Sequence, residues 1–438
     1  MVLFAILARA VAFVTVITLS VLNVSHAQDA PQKPEIKALG VEANGVERSV
    51  IEIRVDEYLS RKIHPLLNYV FFDDNSAEIP SRYHKLTEVQ AETFSLNRLY
   101  GLETIEVYYD LLNIIGFRMK NNPALTLTLV GCNSNVGVEK GNKSLSERRA
   151  KTIQTYFTEV WKIDPARLPI QARDLPEKAS TSKDGPAESD AENRRVELIG
   201  SWEVIQPVMI TDTLREATPP TIRFYTKVYQ EETPQQWSIV AMQRGRKLRD
   251  ITAPGKVRPV VDWKINKEKN TLPIDTVPMT YRLEVRYSGD TPNQKSNTGS
   301  MPVQQVTLQK KRRERINDIE KDKYSLILFD FGSDKLGEAN QKIVDIIKAD
   351  KRITPKSKVI VTGYTDNLGN PDFNQKLSQR RAESAAAGLG VSKSTVKEVL
   401  VQGKGKTPPL LYEVEYPEGR FYCRTVVIDV ENPVEYDN

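Results

Sequence analysis

Gly363-Tyr364-Thr365-Asp366-Asn367-Leu368-Gly369, followed by Asn374, Leu377-Ser378 and Arg381-Ala382, is the stretch whose reading decides the fold. An apolar strand, Lys358 to Thr362, runs into it, and the spacing predicts a helix from Gln375 to Ala387 after it. Asp366 falls in the loop between the two, and Arg381 follows fifteen residues later on the helix. An ionised carboxylate accepts hydrogen bonds from an ammonium. A guanidinium holds a carboxylate through two parallel bonds. Placed together, the two groups could clamp both ends of an amino-acid zwitterion.

Working outward, Tyr324 to Phe331 reads as a strand and Glu338 to Lys348 as a helix. Beyond the central loop and helix, Val396 to Gln402 and Thr425 to Val430 read as strands. Strand–helix–strand–helix–strand–strand implies an α/β sandwich with helices on one face of a mixed sheet. Phe329-Asp330-Phe331-Gly332-Ser333, Gly363 to Gly369, Asn374, Leu377-Ser378, Arg381-Ala382, Gly403, Gly405, Pro408, Gly419-Arg420 and Arg424 stand in ordered succession. In these residues the segment 324–430 resembles the OmpA-like C-terminal, peptidoglycan-binding domain family. It departs from the family at Tyr364, where histidine is usual, and at Cys423 and Thr425, where asparagine and a second arginine are usual. The resemblance implies binding, without cleavage, of the diaminopimelate residue in the peptidoglycan stem. It implies Asp366 and Arg381 as the clamp, with Asn374, Thr365 and Gly369 of the loop and helix supplying further contacts.

A looser second copy of the same spacing lies at about 66–200. Phe72-Asp73 and Ser76-Ala77-Glu78 resemble the opening, and Gly131 and Gly137 bracket the loop. Asn142, Leu145-Ser146 and Arg149-Ala150 keep the offsets, and Asn193-Arg194-Arg195-Val196 closes the copy. The acid is missing, because Ser134 occupies its place. A neutral hydroxyl cannot counter an ammonium, so Ser134 and Arg149 are expected to form a degenerate site. Binding by this copy would mean that another acid, such as Glu139, replaces the missing one. Apolar residues at helical spacing over 81–120 predict a helical insertion, expected to present a partner surface. Residues 177–192 are expected to be a mobile polar insertion.

Between the copies the texture changes. Short β-branched and aromatic runs alternate with turn residues from 205 to 308, the pattern of an antiparallel, immunoglobulin-like sandwich. Trp237 and Trp263 read there as core residues. The fold class expected is therefore α+β: two OmpA-like α/β sandwich domains flanking an all-β sandwich. The expected order is a signal peptide at 1–27, a flexible leader at 28–40 and a degenerate OmpA-like domain at 41–204. The β-sandwich follows at 205–308, then a basic linker at 309–323 and an OmpA-like domain at 324–438.

Residues 10–24 are free of charge and end in Ser25-His26-Ala27, which reads as a secretory signal cleaved after Ala27. The net charge of +5 over 438 residues is small and spread out, so no nucleic-acid partner is expected. Two cysteines, Cys132 and Cys423, are too few for a disulfide framework and read as buried thiols in separate cores. Beyond His26, only His64 and His84 remain, without a triad, metal cluster or phosphate loop. Neither catalytic residues, a metal nor a cofactor are expected, and the chain is not read as an enzyme. The whole suggests a periplasmic tether holding an outer-membrane-associated assembly to the wall. Its partners would be diaminopimelate-containing peptidoglycan and an unidentified outer-membrane protein or lipoprotein. The alternative is an assembly scaffold that uses its OmpA-like domains for protein contacts alone.

Overall fold

The computed structural model describes residues 32–49, 52–267, 271–316, 318–327, 329 and 332–434. The expected signal segment, 1–27, lies outside the described residues, as do Asp330 and Phe331. The chain divides into two compact units, Met1–Glu52 with Pro219–Val303 and Ile53–Thr218 with Gln304–Asn438, rather than into three consecutive domains.

The first unit is all β. One sheet has four strands in the order Val260–Trp263, Thr221–Lys227, Glu35–Val41, Glu47–Ser49. The other centres on Gln236–Gln243, paired antiparallel with Arg246–Pro254 on one side and Met279–Arg286 on the other. The faces meet through rings, with Phe224 of one sheet 5.5 Å from Tyr281 of the other. Trp237 and Trp263 are core residues, as their strand positions suggested. The antiparallel character expected of this region is present, but its membership differs. Glu35–Val41, expected within a flexible leader, pairs residue for residue with Thr221–Lys227. Pro34 precedes this strand and bounds it without preventing it. Val208–Thr218, expected in the sandwich, instead pairs along the whole of Ile53–His64 in the second unit. Alternation tells that a strand has a buried face, and says nothing of which neighbour it will pair with.

The second unit holds two lobes. In the C-lobe the strand order is Ile319–Leu326, Val426–Pro433, Lys358–Gly363, Glu398–Gly403. The first and third of these pair antiparallel with the second, and the last two pair parallel. In the N-lobe, Tyr69–Phe71, Arg195–Gly200, Leu127–Gly131 and Ile170–Ala172 follow the same order with the same directions. The C-lobe sheet is extended past Ile319–Leu326 by Ile53–His64, which joins it in parallel at Lys323 and Tyr324. Two C-lobe helices, Glu338–Ala349 and Pro371–Leu389, cover one sheet face. Ile343, Val344 and Ile347 meet Ala382, Ala385, Ala386 and Leu389 over Val359, Val361, Val426 and Ile428. The alanine stripe lets the longer helix lie close to the sheet.

The basic run 309–323 is not a linker, since Leu308–Glu314 is a helix and a strand begins at Ile319. Lys311 in that helix is buried and paired, 2.7 Å from Asp318 and 2.6 Å from the Glu57 carbonyl. The insertion 81–120 is helical, but Leu111–Asn121 is buried along most of its length in the N-lobe core. Segment 177–192 contains the helix Pro186–Asn193, whose Ser189, Glu192 and Asn193 are buried. Cys132 and Cys423 are both buried free thiols.

Candidate ligand-binding site

The C-lobe loop is fixed at both ends before any ligand is considered. Gly363 ends its strand so close to the following helix that a Cβ there would lie 2.0 Å from the Ser378 carbonyl oxygen. Only glycine fits. Asn370 caps the helix, its side chain accepting from the backbone amides of Asp372 and Phe373, with Pro371 in the first turn. Gly369 takes a φ of +81°, which turns the loop into that cap. Asn374 donates to the Leu368 carbonyl at 2.6 Å and Thr365 donates its amide to Gly405. Asn374 and Thr365 therefore brace the loop.

Asp366 and Arg381 are both brought to this loop–helix corner and both are buried, at 6% and 2% exposure. The Arg381 Nε donates to the Ser333 carbonyl at 2.9 Å, and its guanidinium lies 4.9 Å from the Phe329 ring centre. Burial lowers the Arg381 pKa to about 10; Arg424 adds to the effect and Asp366 opposes it. Burial likewise pushes Asp366 above the usual carboxylate range, against the pull of Arg424. Leu368 donates its amide to Asp366 Oδ1, and Arg424 Nη1 stands 3.4 Å from Oδ2.

Arg424 is a site residue that the spacing argument did not single out. It is shared with Glu192, a residue of the N-lobe helix Pro186–Asn193. Glu192 Oε2 accepts from Arg424 at 2.9 Å and from the Ser180 hydroxyl at 2.6 Å, and Oε1 accepts from Arg420 Nε at 3.0 Å. Burial alone would raise the Glu192 carboxyl; Arg424, Ser180 and Arg420 outweigh it and hold the group below its ordinary value. No local pattern could have found Glu192, because its arginines lie 228 and 232 residues away. Arg424 was legible as part of the closing motif, though not as the partner of Asp366.

The N-lobe repeats the frame and changes the charge. A Cβ on Gly131 would fall 1.8 Å from the Ser146 carbonyl oxygen, the counterpart of the Gly363 contact. Arg149 is fully buried and its Nη2 lies 2.5 Å from Glu139 Oε1, with Nη1 reaching Oε2 at 3.4 Å. Ser134 gives both its amide and its hydroxyl to Oε2, and the Asn75 amide reaches Oε1. Arg194 Nε is 3.7 Å away. Burial tends to raise the Glu139 pKa, but Arg149, Ser134 and Asn75 together hold it below the ordinary value. The structure thus brings Ser134 and Arg149 onto the same carboxylate, that of Glu139.

Among the described residues no group of histidine, cysteine or acid side chains could hold a metal ion. Among them, too, no helix is long and apolar enough to cross a membrane.

Residues 328–416 match the OmpA family. Outer membrane protein A of Bordetella avium is 31% identical over 102 residues, covering 23% of this chain and 52% of that protein. The peptidoglycan-associated lipoprotein of Pasteurella multocida is 29% identical over 101 residues, covering 22% of this chain and 67% of that one. The solved cell wall anchor of the T6SS from Pseudomonas aeruginosa aligns at 26% identity and a TM-score of 0.22, over 28% of this chain and 92% of that one. The chain spans about half or less of the length of the first curated relatives it matches. The C-terminal part of the chain therefore carries an OmpA-family domain within a mixed α+β fold.

Proposed function

We propose that the C-lobe is a non-catalytic binding domain for the free amino-acid end of diaminopimelate in the peptidoglycan stem. Asp366 would take the ammonium and Arg381 the carboxylate, with Asn374, Thr365 and Gly369 holding the loop that presents them. The observation that carries the reading is one corner of the fold. A buried loop carboxylate and a buried helix guanidinium close enough to feel its charge both stand there, in the segment that matches the OmpA family. The relative from Pasteurella multocida, a peptidoglycan-associated lipoprotein, supports the same ligand. Burial strengthens the recognition, since charges removed from water attract more strongly, and removing one partner strands the other.

The N-lobe we read as a degenerate copy of the same domain. Its strand order is the C-lobe's, and its loop and helix keep the same offsets. Glu139 fills the position a ligand carboxylate would need, so the copy serves as a packing partner for the C-lobe. The whole chain then acts in the periplasm as a tether between the wall and an outer-membrane protein or lipoprotein.

The test is titration of the full chain with a soluble muropeptide whose stem ends in meso-diaminopimelate. Saturable binding is expected, and Asp366→Ala or Arg381→Ala should weaken it about a hundredfold or more, in keeping with the loss of a buried charge partner. Binding that neither substitution alters, or no binding by the wild-type chain, would overturn the assignment.

A further inference from the structure

Resting on that ligand reading, we propose that the N-lobe helix Pro186–Asn193 is a lid on the C-lobe pocket, latched by Glu192. Ligand binding then requires its release.

Four observations converge on this. Asp366 and Arg381 are both almost wholly buried, so a zwitterion would meet little of either group in this conformation. The cation at Asp366 is Arg424, so a guanidinium already stands where the ligand ammonium would go. That guanidinium is itself tied to Glu192, which spans Arg424 and Arg420 with its two carboxylate oxygens. The lid also lies on the binding loop: a Cβ on Gly185 would fall 2.8 Å from Leu368 Cδ2, and the Glu188 carbonyl accepts from Arg420.

Release is local. The lobes are held together elsewhere by Tyr422, whose hydroxyl donates to the Pro65 carbonyl and accepts from the Leu67 amide inside the N-lobe core. Arg82 and Glu418 add a second contact at 2.6 Å. Neither involves the lid, so the lobes stay docked when the helix lifts; lifting it has to break its bonds to Arg420 and Arg424 and those of Glu192 and Asn193 to Ser180. The ligand gains on the open form because only there can its ammonium replace Arg424 at Asp366. A ligand shifts a conformational equilibrium only through such a difference, and its apparent affinity falls by the fraction of molecules that are open.

The experiment titrates the full chain with the soluble diaminopimelate muropeptide. Glu192→Gln removes the latch charge while keeping its shape, and should bind about tenfold more tightly than the wild type if closed molecules outnumber open ones by that factor. Equal affinity would overturn the lid. Weaker binding would also overturn it, making Glu192 a positioning group for Arg424 instead. A second variant avoids disturbing the charges: Gly185→Cys with Leu368→Cys places two thiols across the lid contact. Its oxidised form should lose binding and recover it on reduction; an oxidised form that still binds contradicts closure. If neither the wild type, Glu192→Gln nor the reduced pair binds, the ligand reading fails and the lid with it. Equal binding by all forms removes the lid alone.

Discussion

Glu139 lies 2.5 Å from Arg149 in the N-lobe, with Ser134 and Asn75 completing its hydrogen bonds from inside the same lobe. In the C-lobe the matching arginine, Arg381, stands near an acid whose ion-pair partner, Arg424, is shared with a residue of the other lobe. The frame is common to both: a glycine pressed on a helix carbonyl, an asparagine at the start of the helix, a buried arginine two turns on. What differs is whether the buried charge is closed within the lobe or through a contact from outside it. A pocket satisfied by its own lobe has nothing to exchange for a ligand. One satisfied by a separate helix can trade partners.

The largest effect should follow from removing the internal acid. Glu139→Ala leaves Arg149 buried without its carboxylate, and breaking such a pair costs about 3–5 kcal/mol. Asp366→Ala should cost much less in stability, since Arg424 keeps Glu192. Urea unfolding of the two variants measures the contrast, and equal losses would break it.

Next come the two glycines. Gly131→Ala and Gly363→Ala each drive a methyl into a backbone oxygen, where no side chain can give way. Overpacking of this kind costs about 1–3 kcal/mol. The two lobes should suffer alike, because here they share geometry rather than charge. A lobe that tolerates alanine would show that its strand and helix are not held as the other's are.

How much of this the sequence held can be judged from particular residues. Gly363, Asn374 and Arg381 were legible because the loop and helix that position them are contiguous, and local spacing encodes contiguous structure. The succession of strands and helices in the C-lobe followed from the same alternation of elements, while the order of its strands in the sheet did not. Ser134 and Arg149 were legible at the offsets of the C-lobe loop and helix, but the seating of Glu139 on Arg149 was not. Glu192 was not legible, because lobe docking rather than spacing brings it to Arg424. The same limit misplaced Glu35–Val41 and Val208–Thr218. Each reads correctly as extended chain, but the sheet it joins is set by partners far along the sequence. Lys311 was read as part of a basic linker because burial of a lysine depends on Asp318 and Tyr58 being folded around it.

The smallest effect is a pH dependence. The Glu139 carboxyl is held below its ordinary value of 4.5. Its contribution to stability is therefore complete above pH 4.5 and is lost as the pH falls through the lower folded value. The contribution amounts to about 1.4 kcal/mol for each unit separating the two. Glu139→Gln lacks this term, so the stability gap between wild type and variant should narrow on acidification below pH 4.5. A gap that stays constant from pH 6 to pH 3 would show that Glu139 is not bound as a carboxylate.

The contrast between the lobes reduces to how many ligands one chain can hold. Calorimetric titration of the full chain with the diaminopimelate muropeptide should give a stoichiometry of one, removed by Asp366→Ala. Two equivalents per chain would mean that Glu139 yields its seat and the N-lobe binds as well. A single site that survives Asp366→Ala would contradict the account outright, because it would place the ligand away from the C-lobe clamp.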